Sequence, residues 1–486
     1  HGQRPRSADQ RPLTVGEQPI VRSCVCVIPA ILVAAAATAQ TTDDPFATPI
    51  GAGRPAIEVN VVEFATLPGS SDEPARPMLL VDEPGTGRLF VNDMRGALYS
   101  VSYDGERVNR YLDHEAASWA VGVHGGRGER GFQSFAFHPQ FAEAGTPGFG
   151  KLYTYVDVAD TAPTADFVSG GGNDAHDTLL LEWTAENPGA ATYDGGPPRE
   201  LLRVEQPFGN HNGGQIGFNP VAGPGDADFG LLYVGSADGG SGGDPMDLSQ
   251  NLESIFGKIL RIDPLGSDSA NGQYGIPADN PFTGSEAALG EIYAYGLRNP
   301  QRFAWDPVNG NMFVADIGQN IVEEVSQVTS GGNLGWNDWE GSYRFISRQE
   351  VSSENPRGEA GLVYPVVEYG QLDPLLQRSS ASTGIEVYRG TAIRQLANLV
   401  LFGDNPSGEL FAFSADDLPE GGQADILRIL LDAGNGPQKL LDLINEKNAM
   451  QGREPATRAD MRLGRGPDNQ IFVLNKQDDT IRLLVP

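Results

Sequence analysis

The chain has 486 residues, and its 34 Lys and Arg against 64 Asp and Glu give a formal net charge of −30 at pH 7. A charge of this sign repels phosphate backbones and anionic lipid, so we expect no nucleic-acid partner and no membrane-surface binding through a basic patch. The 62 Gly and 35 Pro favour many short strands joined by turns over a helical bundle.

The first predicted segment, residues 1–39, is a signal peptide with a few upstream residues. A short apolar run, residues 24–39, ends in an A-x-A cleavage pattern and is preceded by four arginines. The alternative is a retained membrane anchor. Cleavage would remove both cysteines and leave a secreted or periplasmic chain with no disulfide and no membrane span. Residues 40–56 are polar and rich in Pro and Gly, which predicts a flexible lead-in.

A degenerate strand repeat follows over residues 57–486. Each copy has a turn with Gly or Asn and then a run of alternating apolar residues, the period-two pattern of a strand with one buried face. The copies are residues 86–93, 149–157, 229–238, 310–318, 398–404 and 468–478, with further strands predicted over 177–184, 257–263 and 424–432 and one helix over 440–450. The repeat predicts a single all-β domain, a six-bladed β-propeller in which an early strand pairs with the last one. Stacked β-sandwiches are the alternative.

The first candidate for chemistry is His211, which lies between two asparagines in the Gly-rich loop 209–218. An imidazole in such a loop can act as a general base near neutral pH. The alternative is a histidine with a packing role only.

A second candidate is the pair Arg298 and Asn299, which precedes a Pro turn in residues 295–307. A planar guanidinium beside an amide suits an anionic or quinone-like oxygen. The alternative is an arginine tied to backbone carbonyls.

Two acidic loops that contain Gly are candidate cation sites. Their carboxylates are Asp316, Glu323 and Glu324 in residues 314–325, and Asp238, Asp244 and Asp247 in residues 235–247. Carboxylate and carbonyl oxygens are the ligands that Ca²⁺ prefers. The alternatives are a solvated acidic turn for the first loop and a flexible rim loop for the second.

Several phrases, in order, resemble the soluble glucose/sorbosone dehydrogenase family, six-bladed propellers that use pyrroloquinoline quinone (PQQ) with Ca²⁺. The phrases are ERGFQSFAFHPQF (129–141), HNGGQIGF (211–218), GKILRIDP (257–264), YGIPADNPF (274–282), EIYAYGLRNPQRFAWDP (291–307), ADIGQN (315–320), GGNLGWNDWEG (331–341) and FGDNPSGELFAF (402–413). YGIPADNPF and WEG are most similar to the branch that includes the propeller of hedgehog-interacting proteins.

The resemblance implies roles for single residues. His211 matches the catalytic base that takes the proton of a sugar hydroxyl. Arg298 and Asn299 match contacts to PQQ. The backbone carbonyls of Gly318 and Gln319 match ligands of the Ca²⁺. The further cofactor contacts implied are Glu129, Asp238 and Ser379.

One departure from the family pattern concerns the carboxylates of PQQ. Pro406 stands where the family supplies a lysine, and residues 259–438 contain none. The family pattern also has an arginine pair before the last blade, and Arg458, Arg462 and Arg465 match this pair only approximately. Because charge-assisted hydrogen bonds to an anion are strong, this departure predicts weakened PQQ binding.

The sequence therefore predicts an exported quinoprotein dehydrogenase that oxidises an aldose or related sugar with PQQ and Ca²⁺ and passes the electrons to an external acceptor. Two alternatives remain. One is a non-catalytic propeller of the hedgehog-interacting type, which binds carbohydrate or protein. The other is a Ca²⁺-dependent hydrolase or lactonase built on the same ring.

Overall fold

The computed structural model describes residues 40–69, 73–125, 128–160, 164–173, 176–376 and 380–486. The predicted signal peptide lies outside these ranges. Within them the chain is nearly all β, with one α-helix, α1 (Leu440–Met450), and two 3-10 turns at Arg394–Leu396 and Pro467–Asn469. None of the helices in the described part has the length and hydropathy of a membrane span.

The strands are short and follow one another closely along the chain. The first fifteen are β1 (Thr41–Thr42), β2 (Ile57–Thr66), β3 (Pro77–Glu83), β4 (Arg88–Asp93), β5 (Ala97–Ser102), β6 (Val108–Asp113), β7 (Phe132–Phe137), β8 (Lys151–Ala159), β9 (His176–Thr184), β10 (Arg199–Gln206), β11 (Ile216–Phe218), β12 (Leu232–Ser236), β13 (Lys258–Ile262), β14 (Ile292–Tyr295) and β15 (Pro300–Trp305). The others are β16 (Met312–Asp316), β17 (Val322–Val328), β18 (Trp339–Glu340), β19 (Tyr343–Ser347), β20 (Glu350–Ser352), β21 (Val367–Gly370), β22 (Ser382–Tyr388), β23 (Leu399–Asp404), β24 (Leu410–Ser414), β25 (Leu427–Asp432), β26 (Pro437–Gln438), β27 (Arg462–Arg465), β28 (Ile471–Leu474) and β29 (Thr480–Val485).

Antiparallel units of four strands account for most of the fold. Four units in the described residues are separate sheets, with strand orders β1-β20-β19-β18, β10-β9-β8-β7, β11-β12-β13-β14 and β15-β16-β17-β21. Three more, β22-β23-β24-β25, β2-β29-β28-β27 and β3-β4-β5-β6, are joined in one larger sheet by parallel pairing of β25 with β2 and of β27 with β3. The predictions of a β-rich chain and of a helix over 440–450 are confirmed.

The predicted pairing between an early strand and the last strand is also confirmed. Strand β2 runs antiparallel to β29, from Asn60 opposite Val485 to Thr66 opposite Thr480. Its buried residues alternate with exposed ones, as expected for a strand with one face on the core. The second strand of the described chain and its last strand therefore belong to one four-stranded unit.

The core consists of clusters that lie between successive units. One cluster joins Phe313 of β16 to Phe402 and Phe413 of β23 and β24, and all three side chains are fully buried. Another joins Tyr155 of β8 to Leu232 of β12. Burial of each such side chain contributes about 1.5–3 kcal/mol, so each unit is held by both of its neighbours.

Residues 40–56, expected to be a flexible lead-in, are packed against the fold. Strand β1 pairs with β20. The ring of Phe46 meets Tyr343 edge-on at 5.7 Å, and the amide of Ile50 donates to Asp373 Oδ2 at 2.7 Å. The Pro and Gly content of the segment does not predict these contacts, because they depend on single residues.

Candidate active site

Loops at one end of the four-stranded units enclose a polar cavity of about 350 Å³. In an antiparallel unit, the entry to the first strand and the turn between the second and third strands lie at the same edge. The cavity collects residues from these two kinds of loop. The predicted site residues among its lining are Glu129, His211, Arg298, Asn299, Gly318 and Gln319.

A second cavity, of about 650 Å³, has mainly apolar walls and contains none of the predicted site residues. His138 lies there, and its Nδ1 accepts a hydrogen bond from the amide of Gln140 at 3.1 Å. Burial lowers the pKa of His138 to about 4. This histidine therefore has a packing role, with Phe218 edge-on to its ring at 5.4 Å.

The imidazole of His211 is fixed by a buried carboxylate. Its Nδ1 lies 2.7 Å from Oδ1 of Asp238, which follows β12, and Oδ2 of Asp238 accepts from Nε1 of Trp336 at 3.0 Å. Because a carboxylate is the acceptor, Nδ1 carries the proton and Nε2 is the nitrogen that can take one up. Burial opposes the charge of Asp238, but His211 and the other donors around it hold its pKa below the usual range.

The backbone at His211 is held in an unusual conformation. Its φ is +55°, in the left-handed region that non-glycine residues rarely adopt. The amide of His211 donates to Oε2 of Glu129 at 2.7 Å. Glu129, which the resemblance places in contact with the cofactor, thus lines the cavity and also fixes the main chain of the histidine. Strain of this kind is typical of functional sites.

Arg298 and Asn299 enter the cavity from the turn before β15. Their amides donate to the two oxygens of Asp316, at 2.9 and 2.6 Å. One guanidinium nitrogen of Arg298 donates to Ile317 O at 2.8 Å, and the group lies 5.6 Å from the ring of Trp336. The backbone tie weighed as an alternative is therefore present, yet Nε of Arg298 and Oδ1 of Asn299 have no partner among the described residues.

Two of the three carboxylates predicted as cation ligands in residues 314–325, Asp316 and Glu323, serve a different purpose, and the third, Glu324, is buried with an Oε2 that has no partner among the described residues. Asp316 and Glu323 are fully buried, so the alternative of a solvated acidic turn is wrong. Glu323 accepts from the amides of Gly318 and Ser382, at 3.2 and 2.9 Å, and from Nε2 of Gln371 at 2.7 Å. These side chains shape the turn by binding amides instead of facing the cavity.

The turn itself presents the backbone of Gly318 and Gln319 to the cavity. A Cβ at Gly318 would lie 1.6 Å from Val322 O, so only glycine fits there. The carbonyls of these two residues are candidate ligands for a hard cation. Among the described residues, no group of three or more His, Cys, Asp or Glu side chains is arranged to hold a metal.

Carboxylates of the acidic loop 235–247 also bind groups of the protein. Asp238 accepts a hydrogen bond from His211, as described above. Asp244 is buried and accepts from the amides of Leu248 and Ser249, at 3.0 and 2.8 Å. The loop is therefore closed by its own hydrogen bonds, and these two carboxylates have partners within the protein.

Sequence reasoning missed Lys476, which lines the cavity from the turn between β28 and β29. Its side chain is buried, and its Nζ lies 3.5 Å from Sδ of Met94. Arg458 and Arg462 line the same wall. Pro406 still stands where the family supplies a lysine, but a lysine from a different unit lines the cavity. The available signal is the position of Lys476 between the second and third strands of its unit, because loops at this position line the cavity.

Ser379, the last of the predicted contacts, lies outside the described residues. Its neighbour Ser380 lines the cavity and donates to Oδ2 of Asp404 at 2.5 Å.

An imidazole fixed by a carboxylate, beside a polar cavity with cations and unpartnered polar atoms, defines a ligand site with the equipment for proton transfer. The chain belongs to the Glucose / Sorbosone dehydrogenase family, whose model matches residues 75–429.

Two curated relatives extend this assignment. HIPL1 protein of Arabidopsis thaliana is 30% identical over 352 residues, which are 66% of this chain and 49% of that protein. The Hedgehog-interacting protein of Mus musculus is 32% identical over 226 residues, 46% of this chain and 29% of that protein. The chain thus matches about half or less of the length of these relatives.

Among solved structures, the PQQ-bound form of aldose sugar dehydrogenase from Streptomyces coelicolor is similar in fold. It aligns with a TM-score of 0.55 and 22% identity, over 89% of this chain and 99% of that one.

Proposed function

We propose that the protein is an exported sugar dehydrogenase, which oxidises an aldose or a related sugar with PQQ and Ca²⁺ and delivers the electrons to an external acceptor. The observation that carries the proposal is the His211–Asp238 pair at the cavity wall. The family description and the PQQ-bound structural neighbour support the choice of substrate class and cofactor.

The proposal includes a six-bladed propeller as the scaffold. Of the seven antiparallel four-stranded units in the described residues, the six other than β1-β20-β19-β18 would be the blades. Strands of these six units also touch in succession: β3 contacts β7, β7 contacts β11, β12 contacts β15, β15 contacts β22, β22 contacts β27, and β27 contacts β3. Such an order is expected when the units surround an axis.

The residues of the cavity fit PQQ, which is a planar trianion. Arg298, Arg462 and Lys476 supply positive charge, and buried donor or acceptor atoms of Arg298, Asn299 and Arg462 have no partner among the described residues. The carbonyls of Gly318 and Gln319 would hold the Ca²⁺. When bound, PQQ would supply a hydride acceptor there and Ca²⁺ would supply a Lewis acid.

The protein's own groups would perform the proton transfer. Nε2 of His211 accepts the proton of the sugar hydroxyl, and Asp238 stabilises the imidazolium that forms. Trp336 holds Asp238 from the other side, so the imidazole keeps its orientation through the reaction. Glu129 fixes the backbone of His211 and thereby the depth at which the ring enters the cavity.

The test is reconstitution of the mature protein with PQQ and Ca²⁺, followed by dye reduction over a panel of aldoses. We expect activity that requires both additions, is lost in His211→Gln and is kept in His138→Gln, the matched control outside the cavity. Dye reduction by none of the sugars, with PQQ demonstrably bound, would refute the proposal.

The similarity to a Hedgehog-interacting protein favours one other function, a non-catalytic propeller that binds carbohydrate or protein. It predicts binding on a glycan array or in a protein pull-down that is unchanged in His211→Ala. A turnover activity that disappears with the same substitution would exclude it.

A further inference from the structure

A cluster of buried cations lies at one wall of the cavity. Arg462 and Lys476 are 4% and 7% exposed, and Arg302 beside them is 2% exposed. Buried charges in proteins are normally paired with opposite charge. Among the described residues, however, no salt bridge includes any of these three cations, although the whole chain carries a net charge of −30.

The partners of the cations are neutral. Arg302 donates to backbone carbonyls, including Met78 O at 2.7 Å. Arg462 donates to Thr383 Oγ1 at 3.0 Å, and its Nε has no partner within the described part of the chain. The ammonium of Lys476, with three donors, has only the sulfur of Met94, a weak acceptor, as partner among the residues that the structure describes.

The nearest carboxylate is engaged elsewhere. Oδ1 of Asp460 accepts from Nε of Arg458 at 2.5 Å, and its Oδ2 accepts from Nε2 of Gln477 at 2.6 Å. Burial and the repulsion of Arg462 lower the pKa of Lys476 well below its usual range, although Asp460 offsets part of this effect. Among the described residues, no carboxylate is therefore in an ion pair with Lys476 or Arg462, and Asp460 is paired with Arg458.

The turn that carries Lys476 is rigid. Oδ1 of Asn475 accepts from the amides of Gln477 and Asp478, and its Nδ2 donates to Oδ1 of Asp478 at 2.8 Å. Strand β29 follows and is paired with β2, so the ammonium is held in place before any ligand arrives.

We infer that Lys476 and Arg462 form a carboxylate-binding subsite, in which Lys476 from the β28–β29 turn replaces the lysine that Pro406 displaces. The inference rests on the proposed function, since it assigns the subsite to the carboxylates of PQQ. Two cations on one wall suit a polycarboxylate, because each carboxylate can take a charge-assisted hydrogen bond. The cavity of about 350 Å³ has room for more than a small inorganic anion.

The test is calorimetric titration of PQQ, and separately of citrate, into the Ca²⁺-loaded mature protein. Lys476→Met is compared with the wild type and with Lys439→Met, a lysine outside the cavity. We expect Lys476→Met to weaken both ligands roughly 10- to 100-fold, and Lys439→Met to leave them unchanged. Binding to the wild type should take up more protons than binding to Lys476→Met, because the anion restores the charge of the ammonium.

The Tm of the ligand-free protein distinguishes this inference from a structural role for Lys476, because a structural role predicts that the substitution lowers the Tm. Since the substitution removes a buried amine that has only a weak acceptor as partner among the described residues, the Tm of Lys476→Met without ligand should equal or exceed that of the wild type. A lower Tm, or equal affinity of PQQ for Lys476→Met and wild type, would overturn the inference and leave the proposed function standing. Citrate binding that needs Lys476, with no PQQ binding by the wild type, would refute the proposed function and keep the anion subsite.

Discussion

Nδ1 of His211 and Oδ1 of Asp238 lie 2.7 Å apart, and the two residues come from loops of the same four-stranded unit. His211 precedes its first strand, and Asp238 lies between its second and third strands. Trp336 donates to the second carboxylate oxygen from another loop. The orientation of the imidazole is therefore set by hydrogen bonds that exist before any substrate binds.

The first prediction concerns Asp238 as a positioning residue. We expect Asp238→Asn to lower kcat by roughly 10²-fold or more, since an amide neither fixes the tautomer nor stabilises the imidazolium. The acidic limb of the pH–rate profile should also move to lower pH, because the protonated ring loses its counter-charge. Steady-state kinetics across pH measure both effects.

Trp336→Phe is the control for this prediction. It removes one donor to the carboxylate and retains an aromatic ring near Arg298, so the loss of kcat should be smaller and the pH profile should keep its shape. An Asp238→Asn enzyme with wild-type kcat and an unmoved profile would contradict the role of the pair.

The second prediction concerns the turn at Gly318. Because a Cβ there would lie 1.6 Å from Val322 O, Gly318→Ala must displace the turn and the carbonyls proposed for Ca²⁺. We expect the Ca²⁺ affinity to fall by at least about tenfold, as measured by calorimetry in the presence of PQQ. Gly196→Ala is the matched control, because a Cβ at Gly196 meets nothing within 4 Å. Equal Ca²⁺ affinity in both variants would exclude this turn as the cation site.

Much of this site could be predicted from the sequence. The alternation of apolar residues marked the strands, and contiguous motifs marked His211, Arg298 and Gly318. Because these motifs lie in loops at one end of the units, the fold brings them to one cavity.

Other parts depend on contacts between distant segments, which no local pattern records. Lys476 reaches the cavity because β29 pairs with β2, and its neighbour there is Met94 at the end of β4. Asp316 and Glu323 are residue types that often bind cations. In the pairing register of β16 and β17, however, their carboxylates accept hydrogen bonds from backbone amides. Composition cannot distinguish these two uses of a carboxylate.

The third prediction concerns Lys258, which is fully buried beside the site. Its Nζ donates to the carbonyls of Leu248, Ser249 and Phe256, at 3.0, 2.9 and 2.5 Å. Lys258→Met would leave the carbonyl of Phe256 without a donor among the described residues, whereas the carbonyls of Leu248 and Ser249 keep the amides of Asn251 and Gly296, each at 3.2 Å. We therefore expect the free energy of unfolding to fall by about 1–3 kcal/mol. Denaturant unfolding measures this, with Lys439→Met as the control. Equal midpoints and slopes for the two variants would show that the carbonyls do not need the ammonium.

The fourth prediction is a pH dependence of stability. Burial raises the pKa of Asp157 to about 7, although Thr178, Gln133 and Gly131 donate to its carboxylate. Nε2 of His176 lies 4.0 Å from Oδ1. Since the folded state keeps a proton that the unfolded state has lost, the stabilising contribution of Asp157 is complete below about pH 4 and disappears as the pH rises through about 7.

Asp157→Asn removes this titration. We therefore expect the stability of the wild type, relative to that of the variant, to decrease by up to a few kcal/mol as the pH rises from about 4 to about 7. Denaturant unfolding at several pH values measures the difference. Parallel profiles for the two proteins would show that Asp157 titrates alike in the folded and unfolded states.

The most direct test of the central claim is anaerobic mixing of the PQQ- and Ca²⁺-loaded protein with excess aldose, followed by the absorbance of the bound quinone. The account predicts a sugar-dependent change in the wild type and a rate at least about 10²-fold lower in a His211→Gln protein that still binds PQQ. An absorbance that stays constant with every aldose in the wild type, while PQQ remains bound, would contradict it.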